Sequence, residues 1–213
     1  MRWASLATFF GTGVVLALFW GDVPDRWITH WGPNGLPNGW ATKSVAAVVG
    51  PLIVGFIMWL AVEAIALGLP GRKGRVSPEL VAVHATVLRA VGFAVALVTS
   101  GLTLALPLLQ PSSPGTLVVA ALAELGLVIG GAMVWATRRT RRLRAAGVAL
   151  PDGYQGAFYK NPRDRRLWVP KIAGIGRTIN YAHRLAWPVT IALVGVPLIV
   201  AVLVAVARRT AGR

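Results

Sequence analysis

Residues Val45 to Leu69 read VAAVVGPLIVGFIMWLAVEAIALGL, and a single position among them, Glu63, is ionisable. A membrane span needs roughly 20 mainly apolar residues to cross the hydrocarbon core, and this run is long enough by itself. It does not alternate apolar with polar residues as a barrel strand would. Lipid offers backbone amides no partner, so a helix is the conformation the run predicts. Outward from it, runs of the same kind occur near 3–20, 84–109, 116–137 and 185–207. The expected fold class is therefore all-α: a polytopic transmembrane helix bundle of about five spans. Composition agrees, because 55% hydrophobic and 14% charged residues give more apolar surface than a soluble domain of 213 residues can bury. The chain divides into a four-span membrane domain (1–137) carrying a loop at 21–44, a basic loop module (138–184), and a fifth span with its tail (185–213).

A formal charge of +15 would suit a nucleic-acid binder, so its placement decides its meaning. With the N-terminus inside, Arg2, the 70–83 loop and the 138–184 loop put sixteen Lys and Arg on the inner side, against five outside. That is the asymmetry of the positive-inside rule, and it makes nucleic-acid binding the weaker explanation. The expected location is the bacterial cytoplasmic (inner) membrane, multi-pass, with the lipid bilayer as the first partner. Five spans leave the Arg-rich tail outside, in conflict with the same rule. The opening MRW and its apolar run end in Phe19-Trp20 without an Ala-x-Ala cleavage pattern, which reads as a retained first span. Cysteine is absent, so disulfides, thiolate metal sites and Cys nucleophiles are excluded.

The loop Gly21 to Ser44 is dense in Pro, Gly, Asn and Trp, which predicts a compact cap. Pro33-Asn34-Gly35 and Pro37-Asn38-Gly39 read as two successive turns. Trp20, Trp27, Trp31 and Trp40 supply apolar mass to anchor it. Ser77-Pro78-Glu79 reads as a helix start, with Ser as the N-cap. Residues 110–115 read as a tight hairpin between spans, and 138–146 as a basic helical extension of the fourth span.

Ionisable groups inside hydrocarbon are costly, which makes Glu63, Arg89 and Glu124 candidates for function. At about 1.5 Å per residue, Glu63 and Arg89 fall roughly 9 and 8 Å from the inner ends of their spans, so a pair between them is expected. That pair either locks two helices or does more. Glu124 lies in the other leaflet with no basic residue near it. Hydroxyls of Thr12 and Thr103 at similar depth are candidate partners, and a polar cavity floor is the sharper reading. His30 is the one histidine expected outside, with Asp22 and Asp25 near it in sequence. No His-Glu-x-x-His exists, so no metal site is assigned, no cofactor is implied, and no catalytic triad or nucleophile elbow is present. Gly126-x-x-x-Gly130 permits close helix contact.

The stretch from Val23 to Lys43 resembles the signature of the SdpI-like bacterial membrane proteins: Pro24, Ile28, His30, Trp31, Gly35, Pro37, Trp40 and Lys43 follow it. Thr29 replaces a usual proline and Asn38 a usual acid. A second stretch resembles a module often attached to the same family. In it Asn161, Pro162, Asp164, Arg166, Trp168, Val169, Pro170, Lys171, Gly174, Gly176, Thr178 and Asn180 match, while Arg165 and Arg177 depart. Most members have no known function. The named ones act in immunity to a secreted peptide and in relaying its presence to a cytoplasmic repressor. The resemblance thus implies a non-enzymatic ligand-sensing or immunity-type protein, with a secreted peptide or small ligand met outside by His30, Trp31, Asn34, Gly35, Trp40 and Lys43. A cytoplasmic protein would be met inside by Asn161, Asp164, Arg166, Trp168, Lys171 and Asn180. The alternative is a small proton- or ion-linked transporter that uses Glu124.

Overall fold

The computed structural model describes residues 1–32, 35–68, 77–111, 114–149, 152–155, 158–171 and 177–193. Three helices are long and apolar enough to cross a membrane: α2 (Val45–Gly68), α3 (Pro78–Leu109) and α4 (Gly115–Ala145). A shorter apolar helix, α1 (Arg2–Leu18), precedes them. Its 17 residues span about 25 Å, a few Å short of the hydrocarbon core, and a 3₁₀ turn at Trp20–Asp22 follows it. The protein is thus predominantly helical. The rest of the fifth expected span lies outside the described residues, apart from a helical segment at 186–193. The Arg-rich tail and most of the 70–83 loop lie outside them too.

Helix ends follow local chemistry. Ser77 caps α3 as its sequence predicts, its Oγ accepting the Leu80 N–H at 3.3 Å. Ser44 does the same for α2, accepting the Ala47 N–H at 3.2 Å. Gln110 ends α3 with φ of 44°, the left-handed conformation that usually calls for glycine after a helix. The expected basic extension of the fourth span is continuous with α4. Ala132, Ala136, Thr140 and Leu143 form one buried face along it, a spacing that keeps the arginines between them on the exposed faces.

The chain forms two compact units, the first from Met1–Glu63 and Arg89–Gly130, the second from Ala64–Leu88 and the described residues after Gly130. In the first unit, Phe9 of α1 meets Phe56 and Trp59 of α2 edge-on at 5.4 and 6.2 Å, around a core with Leu52 and Ala96. Close approach of α2 to α3 is set by Gly55, where a Cβ would lie 2.2 Å from Thr99 Oγ1. Gly126 and Gly130 differ from their expected role: apart from the local backbone of α4, no atom among the described residues lies within 4 Å of where their Cβ would be. In the second unit, Val83 of α3 packs on Ala136 and Leu143 of α4.

Three two-stranded antiparallel ladders complete the described structure. β1 (Arg26–Trp31) pairs with β2 (Pro37–Thr42) in the first unit. β3 (Tyr154–Gln155) pairs with β4 (Phe158–Tyr159), and β5 (Trp168–Pro170) with β6 (Arg177–Ile179), in the second.

Candidate functional site

The cap of the first unit is a β-hairpin, which corrects one expectation. Pro37-Asn38-Gly39 is not a turn but the start of β2. The ladder runs Ile28 opposite Trp40, then His30 opposite Gly39, then Trp31 opposite Pro37, so the register slips at Thr29 and again at Asn38. Of these two bulges, the one at Asn38 absorbs a residue whose composition reads as part of a second turn. Gly39 is required there for another reason: a Cβ would lie 2.8 Å from His30 Cβ. Of the first turn signal, Pro33 and Asn34 lie outside the described residues, while Gly35 has φ of 78° as that signal requires.

The hairpin has a buried side and an exposed one. Trp27 is buried, together with Val23, Leu16 of α1 and Val48 of α2, and Leu104, Leu106 and Leu108 of α3 pack around them. Trp40 by contrast is 47% exposed, with the Arg26 guanidinium 4.9 Å over its ring. Lys43 Nζ stands 5.5 Å over Trp20, a cation–π contact that holds the strand's end to the first helix's exit. His30 is exposed, and its Nδ1 lies 2.5 Å from Asn38 Oδ1. With the amide oxygen as acceptor, Nδ1 is the donor of this bond. The four tryptophans are therefore not equivalent anchors: Trp27 is core, whereas Trp40 is exposed beneath the Arg26 guanidinium.

Below the hairpin in the same unit, Glu63 and Arg89 come together, with Arg89 Nε 3.6 Å from Glu63 Oε2. The nearer partner is Arg2, whose charge reads from sequence only as a topology signal. Arg2 places Nε and Nη2 each 3.0 Å from the same oxygen. Glu63 is 5% exposed. One carboxylate thus ties the first turn of α1 to α2 and α3, in a cluster with one net positive charge. The signal that could have found Arg2 is depth, since it opens α1 on the side where α2 ends.

Glu124 is brought to neither Thr12 nor Thr103. Those hydroxyls donate to the Thr8 and Thr99 carbonyls of their own helices. Glu124 instead lines a cleft of about 370 Å³ between α3 and α4, walled by Val98, Leu102, Leu109 and Leu117.

In the second unit, the residues of the inner-loop motif form one hydrogen-bonded network. Asn180 is fully buried. Its Oδ1 accepts the N–H of Asn161 and of Ala182, and its Nδ2 donates to the carbonyls of Asn161 and Asp164. Every donor and acceptor of the carboxamide is thereby used. Asn161 Oδ1 accepts the Arg163 N–H, and Asp164 Oδ1 accepts the Arg166 N–H, two short side-chain turns that shape the loop. Arg166 grips Asp164 through Nε and Nη2 at 2.9 and 2.8 Å. These bonds hold the Asp164 carboxyl well below the usual carboxylate range, the guanidinium first and the Arg166 N–H second. Tyr159 donates to Asp164 Oδ2, and burial pushes its hydroxyl pKa up. Tyr154 donates to the Pro170 carbonyl, while Arg144 of α4 donates to the Tyr154 carbonyl at 2.7 Å. Asn161, Asp164, Arg166 and Asn180 therefore meet one another, whereas Trp168 and Lys171 are exposed.

Residues 7–55 match a domain of unknown function, DUF1648. Residues 162–187 match a family of unknown function, DUF5808. Neither match carries an activity. The first covers most of α1, the hairpin and the start of α2; the second covers the Asp164–Asn180 network. No curated protein and no solved structure matches the chain. Its three long apolar helices and these two matches make it a membrane protein of unknown function, with no enzymatic family among the matches.

Proposed function

We propose that this protein is a ligand-sensing membrane protein of the immunity or signalling type, as its likeness to SdpI-like proteins implies. A secreted peptide or small ligand meets the hairpin at His30, Trp40 and Lys43. The observation that carries the reading is the hairpin's two-sidedness. His30 and Trp40 are exposed on a strand pair whose Trp27 is buried among residues of α1, α2 and α3, so a ligand that shifts the hairpin shifts the helix contacts beneath it. In this reading the membrane is the bacterial cytoplasmic membrane, the N-terminus is inside, and the Asp164–Asn180 module offers Trp168 and Lys171 to a cytoplasmic protein.

The test is topological first. The chain has no cysteine, so single cysteines at 30 and 160 report their sides of the membrane directly. Both residues on one side would sink the sensor reading. Binding of candidate secreted peptides to His30→Ala comes next, and unchanged affinity removes His30 from the site.

One observation favours a second reading, a proton- or ion-linked carrier: Glu124 sits in an apolar-walled cleft of about 370 Å³. In that case Glu124→Gln abolishes substrate movement and leaves the hairpin's ligand affinity intact.

A further inference from the structure

A cleft of about 340 Å³ in the second unit combines two features that the network around Asn180 does not use. Its wall is a chain of aromatic rings. Phe158 meets Tyr181 edge-on at 5.4 Å, and Tyr181 meets Trp187 at 5.4 Å. Phe158 and Trp187 are 38% and 61% exposed, so the rings offer a continuous apolar surface and do not close upon themselves. Flanking the rings are Arg141 of α4 and Lys160, just beyond β4. Neither forms an ion pair among the described residues, and no acidic side chain lines the cleft. Gln155 adds an amide.

Two uncompensated cations call for an anion, and the ring wall calls for an apolar body attached to it. The position narrows the choice. In α4 the sequence changes from Val134-Trp135-Ala136 to Arg138-Arg139 at this height, and Trp187 opens the apolar stretch at 186–193. Such a change marks the boundary between hydrocarbon and headgroups, where exposed tryptophan is favoured. We propose that the cleft binds an anionic phospholipid. Its phosphate lies between Arg141 and Lys160, and its glyceryl and first acyl carbons cover Phe158, Tyr181 and Trp187. A free phosphate satisfies the cations but leaves the rings bare.

The test uses the full chain, purified in detergent and reconstituted into phosphatidylcholine vesicles containing phosphatidylglycerol, with the retained lipids identified by native mass spectrometry. Wild type retains phosphatidylglycerol preferentially. Arg141→Gln with Lys160→Gln loses about tenfold or more of that preference, the order expected when two basic groups leave an anionic headgroup. Arg163→Gln with Arg165→Gln, which removes the same charge from exposed positions outside the cleft, keeps it. Trp187→Ala lowers retention with no change of charge, and Trp187→Phe restores part of it. Equal losses in both double variants would mean bulk attraction to the surface and overturn the proposal. Displacement of the lipid by inorganic phosphate, with Trp187→Ala unaffected, would leave a simple anion site and overturn it as well. If the double variant fails to fold, Lys160→Gln alone and Trp187→Ala decide the outcome by the same readout.

Discussion

Asn180 holds the backbone of Asn161 at both ends: its Oδ1 accepts the Asn161 N–H at 3.0 Å, and its Nδ2 donates to the Asn161 carbonyl at 2.9 Å. The two residues are nineteen positions apart, so this single side chain closes the loop that carries Asp164 and Arg166. Asn180→Ala removes four hydrogen bonds and leaves buried backbone groups without partners. The expected cost is about 2–4 kcal/mol, allowing for partial relaxation. Thermal unfolding followed by tyrosine and tryptophan signals measures it. A variant as stable as wild type would show that the loop is held elsewhere.

How much of this was legible in the sequence depended on the range of the interaction. The helices were, because an apolar run such as Val45–Gly68 dictates its conformation in lipid regardless of what lies beside it. The Ser77 cap was, because its partner is three residues away. Pro37-Asn38-Gly39 has the composition of a turn, and only the opposite strand, where Gly39 faces His30, explains why it is a strand. Arg2 reads from sequence only as a topology signal, because its partner lies sixty-one residues away. Asn180 stands out by resemblance alone, since nothing local distinguishes a buried structural asparagine from a loop asparagine.

The Asp164 carboxyl gives the second unit an acid limit. Its folded-state pKa lies below the ordinary 3.8, so the stabilisation it provides is present above the unfolded value and is lost as pH falls through the folded one. Unfolding midpoints should hold steady from neutral pH down to about pH 4 as far as this group is concerned, and then decline. Asp164→Asn keeps an acceptor for the Arg166 N–H but lacks the charge. Its midpoint should be lower at pH 7 and should approach wild type as pH falls below 4. Parallel curves for the two proteins would assign the acid sensitivity to other carboxylates.

Glu63 supports two arginines, and they are not equally placed: Arg2 at 3.0 Å and Arg89 at 3.6 Å. Glu63→Gln leaves both guanidinium groups uncompensated beside apolar side chains, at an expected cost of about 2–4 kcal/mol after discounting for their partial exposure. Arg2→Gln should cost more than Arg89→Gln, because it breaks the shorter, hydrogen-bonded contact. A double-mutant cycle between positions 2 and 63 isolates that coupling from the loss of packing. A coupling energy near zero would reduce the Arg2 contact to a surface pairing.

Gly55 and Gly126 make opposite predictions for the same substitution. At Gly55 a Cβ would lie 2.2 Å from Thr99 Oγ1 and 2.6 Å from Thr99 Cβ. Rotating the threonine moves its Oγ1 and Cγ2 but not its Cβ, so α2 and α3 must separate. Gly55→Ala should therefore cost about 1–3 kcal/mol, the range for overpacking a close contact. Thr99→Gly should recover part of it by removing the opposing Cβ. At Gly126, apart from the local backbone of α4, no atom among the described residues lies within 4 Å of a Cβ, and α4 gains helix propensity from alanine. Gly126→Ala should be neutral or slightly stabilising, by up to about 1 kcal/mol. Thermal unfolding of the purified variants in one detergent compares them directly. Destabilisation at Gly126 equal to that at Gly55 would mean that α4 meets a neighbour at this face, through a second copy of the chain or residues beyond those described.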